Sequence, residues 1–181
     1  MAPATLNRWA WPLAAALAAA FVVWLSLHGE RPKLIHETEE NGVMRNVDLA
    51  TVTWVEVNAG NGHWRFVRKP GESWSLADGA PAPPPDFAGH IELGLRLLHD
   101  SAPQRLIAAE DAEGLDPAQF GLARPALTVS LGSDGTKRFT AAFGTANPMG
   151  LANYVRVDSR TEIALVNDYV LDTWKQAVGA P

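Results

Sequence analysis

The chain has 181 residues, 47% of them apolar and 19% charged, with a formal net charge of -5 and no cysteine. That is the make-up of one folded domain with an appendage, and it is far from the low-hydrophobicity, high-charge signature of a disordered chain. Without cysteine there is no disulfide, thiolate metal site or thiol nucleophile, and scattered Lys and Arg give no electrostatic footprint for nucleic acid.

The first element is an uncharged run from Trp9 to Leu27, dense in Ala, Leu, Val and Phe. Roughly 19 residues at about 1.5 Å rise cover the ~30 Å of a hydrocarbon core, so the run predicts a transmembrane helix, with the lipid bilayer as its partner. Pro12 falls in the first turn, and Trp9, Trp11 and Trp24 sit near the ends, where indoles favour the headgroup zone. A cleaved signal peptide is the rival reading, with Arg8 as its basic region and Ala18–Ala20 as the cleavage site. Cleavage there leaves Phe21–Leu27 as an apolar mature N-terminus, which favours an uncleaved signal-anchor. The predicted organisation is a tail and anchor over 1–28, a polar stalk over 29–46 and an extracytoplasmic domain over 47–181. The corresponding topology is single-pass, with the C-terminal domain exported.

Beyond the stalk, Thr51–Val57 and His63–Val67 are rich in β-branched and aromatic residues and flank Asn61-Gly62, which predicts a β-hairpin. A third strand is expected at Ser73–Leu76, ahead of the proline-rich loop 79–85. Asp86 is placed to cap a helix running to about Asp100, because Phe87, Ile91, Leu95 and Leu98 recur on one helical face. Strands follow at Gln104–Ala108, Ala126–Leu131, Lys137–Phe143, Tyr154–Val157 and Glu162–Val166, with Asp134-Gly135 as a turn, and a closing helix spans Asp168–Val178. The fold class is therefore α+β: antiparallel strands with helices on one face, and a strands-then-helix order that occurs twice, as in a weak internal duplication.

The succession Gly71-Glu-Ser-Trp-Ser-Leu76, the amphipathic helix, Phe120-Gly-Leu-Ala-Arg-Pro125, Phe143-Gly144 and Asn153-Tyr-Val-Arg156 resembles the domain-of-unknown-function family 4340, over roughly Val47 to Val178. The resemblance implies an N-terminal membrane helix, an extracytoplasmic part and an accessory role beside ABC-type transport systems of the gliding-motility kind. A transporter permease is then the partner to expect, and no reaction is implied.

Few residues carry a chemical signature. The five histidines lack zinc-ligand spacing, and Glu110, Asp111, Glu113 and Asp116 lack the calcium-loop register, so no metal is expected. Ser73 lacks the glycine-flanked elbow of a nucleophilic serine, and neither a P-loop nor a dinucleotide fingerprint is present, so no cofactor and no nucleotide are expected. The chain reads as a non-enzyme. One segment stands out, the long connection 144–153, with Asn147, Asn153, Tyr154 and Arg156 as the candidate interaction residues, since long loops bearing amides, a phenol and a guanidinium often carry recognition. Its plainer reading is a wide connection tied down by its own asparagines. Trp54, Trp64 and Trp74 are either core residues or a stacking surface for a sugar or peptide. The functional expectation is an accessory subunit of an envelope complex, with an envelope glycan- or peptide-binding module as the alternative and an enzyme with a dispersed active site as the second.

Overall fold

The computed structural model describes residues 15–21, 24, 42–44, 46–69, 71–77, 81–158 and 160–180. The chain divides into two units, Met1–Glu37 and Thr38–Pro181. In the first, residues 15–21 and Trp24 are helical, Leu17, Phe21 and Trp24 are exposed, and the rings of Phe21 and Trp24 stack 6.3 Å apart. Most of the run from Trp9 to Leu27, and the predicted stalk before residue 42, lie outside the described residues. Among the described residues no helix is long and apolar enough to cross a membrane.

The second unit is an α+β fold built on one eight-stranded, wholly antiparallel sheet. The strands are β1 (Trp54–Ala59), β2 (Gly62–Val67), β3 (Ser75–Leu76), β4 (Arg105–Ile107), β5 (Leu127–Ser133), β6 (Thr136–Ala146), β7 (Ala152–Val157) and β8 (Ile163–Asn167). Their spatial order is β3-β2-β1-β5-β6-β7-β8-β4. The first strand of each run, β1 and β5, pair at the centre, so the two runs fan outward in opposite directions. Both edges are very short strands, which leaves little unpaired backbone for a neighbouring chain to extend.

Alternation fixes the register. Val55 and Val57 sit opposite Phe66 and Trp64 on one side and Leu131 and Val129 on the other, so all six point to one face. Phe139, Ala141, Phe143, Val155 and Val166 extend that face across β6, β7 and β8. Two helices cover it, α1 (Phe87–Asp100) and α3 (Asp168–Val178). Ile91, Leu95 and Leu98 come from α1, and Val170, Trp174 and Ala177 from α3. Ser101 beyond α1 bonds to the hydroxyl of Tyr169 at the start of α3, and Pro84 before α1 lies against Gly179 beyond α3, so the helices run antiparallel. A fully buried aliphatic side chain contributes about 1.5–3 kcal/mol, which makes this single core the main source of stability.

The two long helices share one face as the sequence predicts, but a third, short helix lies on the other face. The segment containing α2 (Ala109–Ala112) and a 3-10 turn at Pro117–Phe120 packs Ala112 and Leu122 onto Ile163, with Ile107, Phe120 and Tyr154 around them. The folded unit also begins before residue 47: the Met44 side chain is in the core, and the N–H groups of Gly42 and Met44 donate to the carbonyls of His99 and Leu98 at the end of α1. These bonds satisfy carbonyls that the last helical turn leaves without partners.

Several local readings shift: β3 covers only Ser75–Leu76, and β6 runs on to Ala146 so that its connection to β7 is 147–151 and not the long segment 144–153. The β1–β2 turn is centred on Gly60-Asn61, one residue earlier than Asn61-Gly62, because Gly60 takes φ 55 at the first central position while Gly62 pairs with Ala59. Asp86 stands at the N-cap position of α1, yet its carboxylate makes no capping bond there and instead lies 3.0 Å from Nε2 of His90.

Candidate functional site

The connection between β6 and β7 is held from within. Asn147 is buried, and its Oδ1 accepts from the N–H groups of Leu151 at 3.0 Å and Ala152 at 3.4 Å. Its own N–H donates to the Ala152 carbonyl at 2.7 Å, and its carbonyl accepts from Gly150 at 2.8 Å. One side chain thus closes the turn, which leaves Met149 and Leu151 exposed at the tip.

Beyond the turn, alternation along β7 separates the other three candidates. Asn153 is buried, whereas Tyr154 and Arg156, two residues apart, share the face opposite the helices. Tyr154 is half-buried with its ring edge-on to Phe120, centroids 4.9 Å apart, which pins the 109–122 segment to the sheet. Arg156 is half-buried too, and its one hydrogen bond, from Nη2 to the Leu122 carbonyl, is long at 3.5 Å. Asn153 thus points to the other face of β7 from Tyr154 and Arg156, and the Asn147 amide is taken up by the turn.

Arg156 instead belongs to a cleft of about 440 Å³ between the β7–β8 turn and the segment from Ala112 to Leu122. Arg160 lines the same cleft, as do Asp158, Glu113, Leu115, Pro117 and Ile163. Asp158 takes φ 51, and its Oδ1 accepts the Thr140 N–H at 2.8 Å, which turns its carboxylate toward the β6 backbone. Among the described residues neither Arg156 nor Arg160 forms an ion pair. Sequence reasoning missed Arg160 because strand alternation stops at Asp158, where the positive φ redirects the chain.

A larger groove of about 700 Å³ opens between the chain entering β1 and the turns after β5 and β7. Val43 and the buried Met44 and Phe139 lie along it, and Asp48, Asp134, Asp158, Arg138 and Arg160 give it both signs of charge. Among the described residues no group of three His, Asp or Glu side chains is close enough to hold a metal ion.

The three tryptophans of β1–β3 are 6%, 8% and 6% exposed for Trp54, Trp64 and Trp74, so none presents a stacking platform. Around Trp54 the uncovered part of the outer face pairs with itself. Arg65 bonds Glu56 across the strands and lies 5.0 Å from the Trp54 ring centroid, His63 bonds Asn58 at 2.7 Å, and Ser130 meets Thr140 at 3.2 Å. At the edge, Arg68 donates to the carbonyls of Val52 and Leu49 and to Glu92 while lying over Trp74, whose indole N–H reaches the same carboxylate at 3.3 Å.

Compared with family models, curated proteins and solved structures, the chain matches none of them.

Proposed function

We propose that this chain is a membrane-anchored, non-catalytic accessory subunit of a bacterial envelope complex, with the unit from Thr38 onward outside the cytoplasm and a permease of an ABC-type transport system as its partner. The observation that carries the reading is the uncharged run from Trp9 to Leu27 joined to a separately packed domain. In that run Leu17, Phe21 and Trp24 are exposed on helical backbone. Apolar side chains in that arrangement are stabilised by a hydrocarbon medium, and a helix satisfies its backbone groups there without water. The strands-then-helix order, three strands before α1 and, from β5, four before α3, fits a domain that arose by a weak internal duplication, with β1 and β5 as the first strand of each run.

Two measurements test the reading. Alkaline carbonate extraction of membranes, followed by protease treatment of intact spheroplasts, should leave the chain in the pellet with a C-terminal tag digested from outside. Recovery in the soluble fraction, or a tag cut only after lysis, counts against the anchor or its orientation respectively. Affinity purification in mild detergent should then recover a permease, and a monodisperse protein without any partner would remove the accessory role.

A further inference from the structure

We infer that the cleft containing Arg156 and Arg160 is a binding site for a small ligand that carries a phosphate or carboxylate group on a short apolar body. Arg156 is held half-buried on the outer face of β7, where Tyr154 and Phe120 fix the segment opposite it. A guanidinium offers five N–H donors in a planar fork, and here a single long bond to the Leu122 carbonyl is all that the protein supplies. Arg160 faces the same space, and no described carboxylate lies within ion-pair distance of either. Asp158 directs one oxygen to the Thr140 N–H, and Glu113 is exposed at the end of α2, so the donors left unsatisfied in the cleft are those of the arginines. An oxyanion matches such donors with short, charge-assisted bonds.

The floor decides the rest of the ligand. Ala112, Leu122 and Ile163 line the cleft but are themselves buried, so the apolar surface that a bare inorganic ion would leave uncovered is chiefly Leu115, which is exposed. A volume of about 440 Å³ lies in the size range of small-molecule sites, which run from roughly 300 to 1,000 Å³. The larger groove makes a weaker case, because even with Asp158 set aside Asp48 and Asp134 line it alongside Arg138 and Arg160, a balance that favours neither sign of ligand.

The test is calorimetric titration of the full chain, reconstituted in phosphatidylcholine nanodiscs, with phenyl phosphate, inorganic phosphate and benzyl alcohol. Phenyl phosphate should bind at least about tenfold more tightly than either of the others, since both the charge-assisted bonds and the apolar contact are needed. Arg156→Gln and Arg160→Gln should each weaken it about tenfold or more, while Arg96→Gln on α1 leaves it unchanged. Leu115→Glu, at an exposed position that tolerates substitution, should also weaken it through like charge at the mouth, and thermal melts of every variant separate lost binding from lost folding. Equal binding of benzyl alcohol, or retained phenyl phosphate affinity in folded Arg156→Gln and Arg160→Gln, overturns the proposal. Repeating the titration in discs containing phosphatidylglycerol identifies the source: competition points to a lipid headgroup, its absence to a soluble ligand, and both outcomes support the anion site.

Discussion

Gly94 on α1 lies directly against the indole of Trp174 on α3: a Cβ at position 94 would stand 2.7 Å from Cε2 of that ring. Trp174 is fully buried at the centre of the core, so the ring cannot swing into solvent to make room. Glycine in a helix interior ordinarily costs up to about 1 kcal/mol relative to alanine, and substitution on propensity grounds alone would stabilise. The clash is the larger effect, because overpacking a close-packed interior costs about 1–3 kcal/mol. Gly94→Ala is therefore expected to lower stability by about 1–2 kcal/mol, read as a lower urea midpoint with an unchanged slope. Trp174→Phe gives the companion measurement. Its indole N–H is buried without a partner, so losing it offsets part of the lost volume, and the net cost should stay below that of Trp174→Ala, about 3–5 kcal/mol.

Arg68 ties three elements together. Its Nε donates to the Val52 carbonyl at 2.8 Å, Nη2 to the Leu49 carbonyl at 2.5 Å and Nη1 to Glu92 on α1 at 3.1 Å, and the guanidinium carbon lies 4.6 Å from the Trp74 ring centroid. Only 16% of the side chain is exposed, so solvent screens these contacts less than at an open surface pair. Arg68→Ala should cost about 2–4 kcal/mol, and Arg68→Lys should recover less than half of that, because a compact ammonium cannot bond all three oxygens and stack at once. Chemical denaturation at low and high salt checks it; a lysine variant equal to the native protein would show that charge, rather than fork geometry, holds the edge.

The sequence makes the elements legible and the assembly much less so. The helix face Phe87, Ile91, Leu95 and Leu98 is readable because a 3.6-residue period and a buried stripe are the same physical fact, and all four residues pack into or against the core. The hairpins are readable because a two-residue turn sets the register on both sides. The turn at Gly60-Asn61 is displaced because either adjacent glycine could supply the conformation, and strand pairing chose Gly60. The position of β4 beyond β8, across the sheet from β3, is set by tertiary pairing that no local pattern encodes. The candidate site divides the same way. Asn147 is legible as a turn residue, and Arg156 stands out as a guanidinium in a strand. The cleft wall formed by residues 112–122 depends on long-range packing of Leu122 on Ile163, and with it the pairing of Arg156 with Arg160 stays hidden.

Two aspartates hold left-handed backbone and should answer differently to the same substitution. Asp134 has φ 48 next to Gly135 at φ 74, a turn with positive φ at both central residues, and its side chain accepts no hydrogen bond among the described residues. Asp134→Gly should therefore be neutral or stabilise by up to about 1 kcal/mol, because glycine takes that conformation without a Cβ penalty. Asp158 has φ 51 as well, but its carboxylate bonds the Thr140 N–H, and removing it leaves that donor to water. Asp158→Gly should destabilise by about 1 kcal/mol, with Asp158→Asn, which keeps the acceptor, closer to native. Thermal melts of the three variants side by side provide the measurement, and the same sign for both glycine variants would defeat the distinction.

Asn147 allows the structural and recognition roles of the β6–β7 connection to be separated. The carbonyl oxygen of its side chain accepts two backbone N–H groups, one of them from the buried Ala152, and without that oxygen a buried donor is stranded at a cost of about 1–3 kcal/mol. Asn147→Ala should lower stability by that order and speed amide exchange at Leu151 and Ala152, while Asn147→Asp, which keeps the acceptor, should recover much of the loss. Met149→Ser at the exposed tip should leave both quantities unchanged, since that side chain is 74% exposed. If Asn147→Ala kept native stability and exchange rates, the amide would not be holding the turn, and a direct contact with a ligand or partner would become the better account of an asparagine at that position.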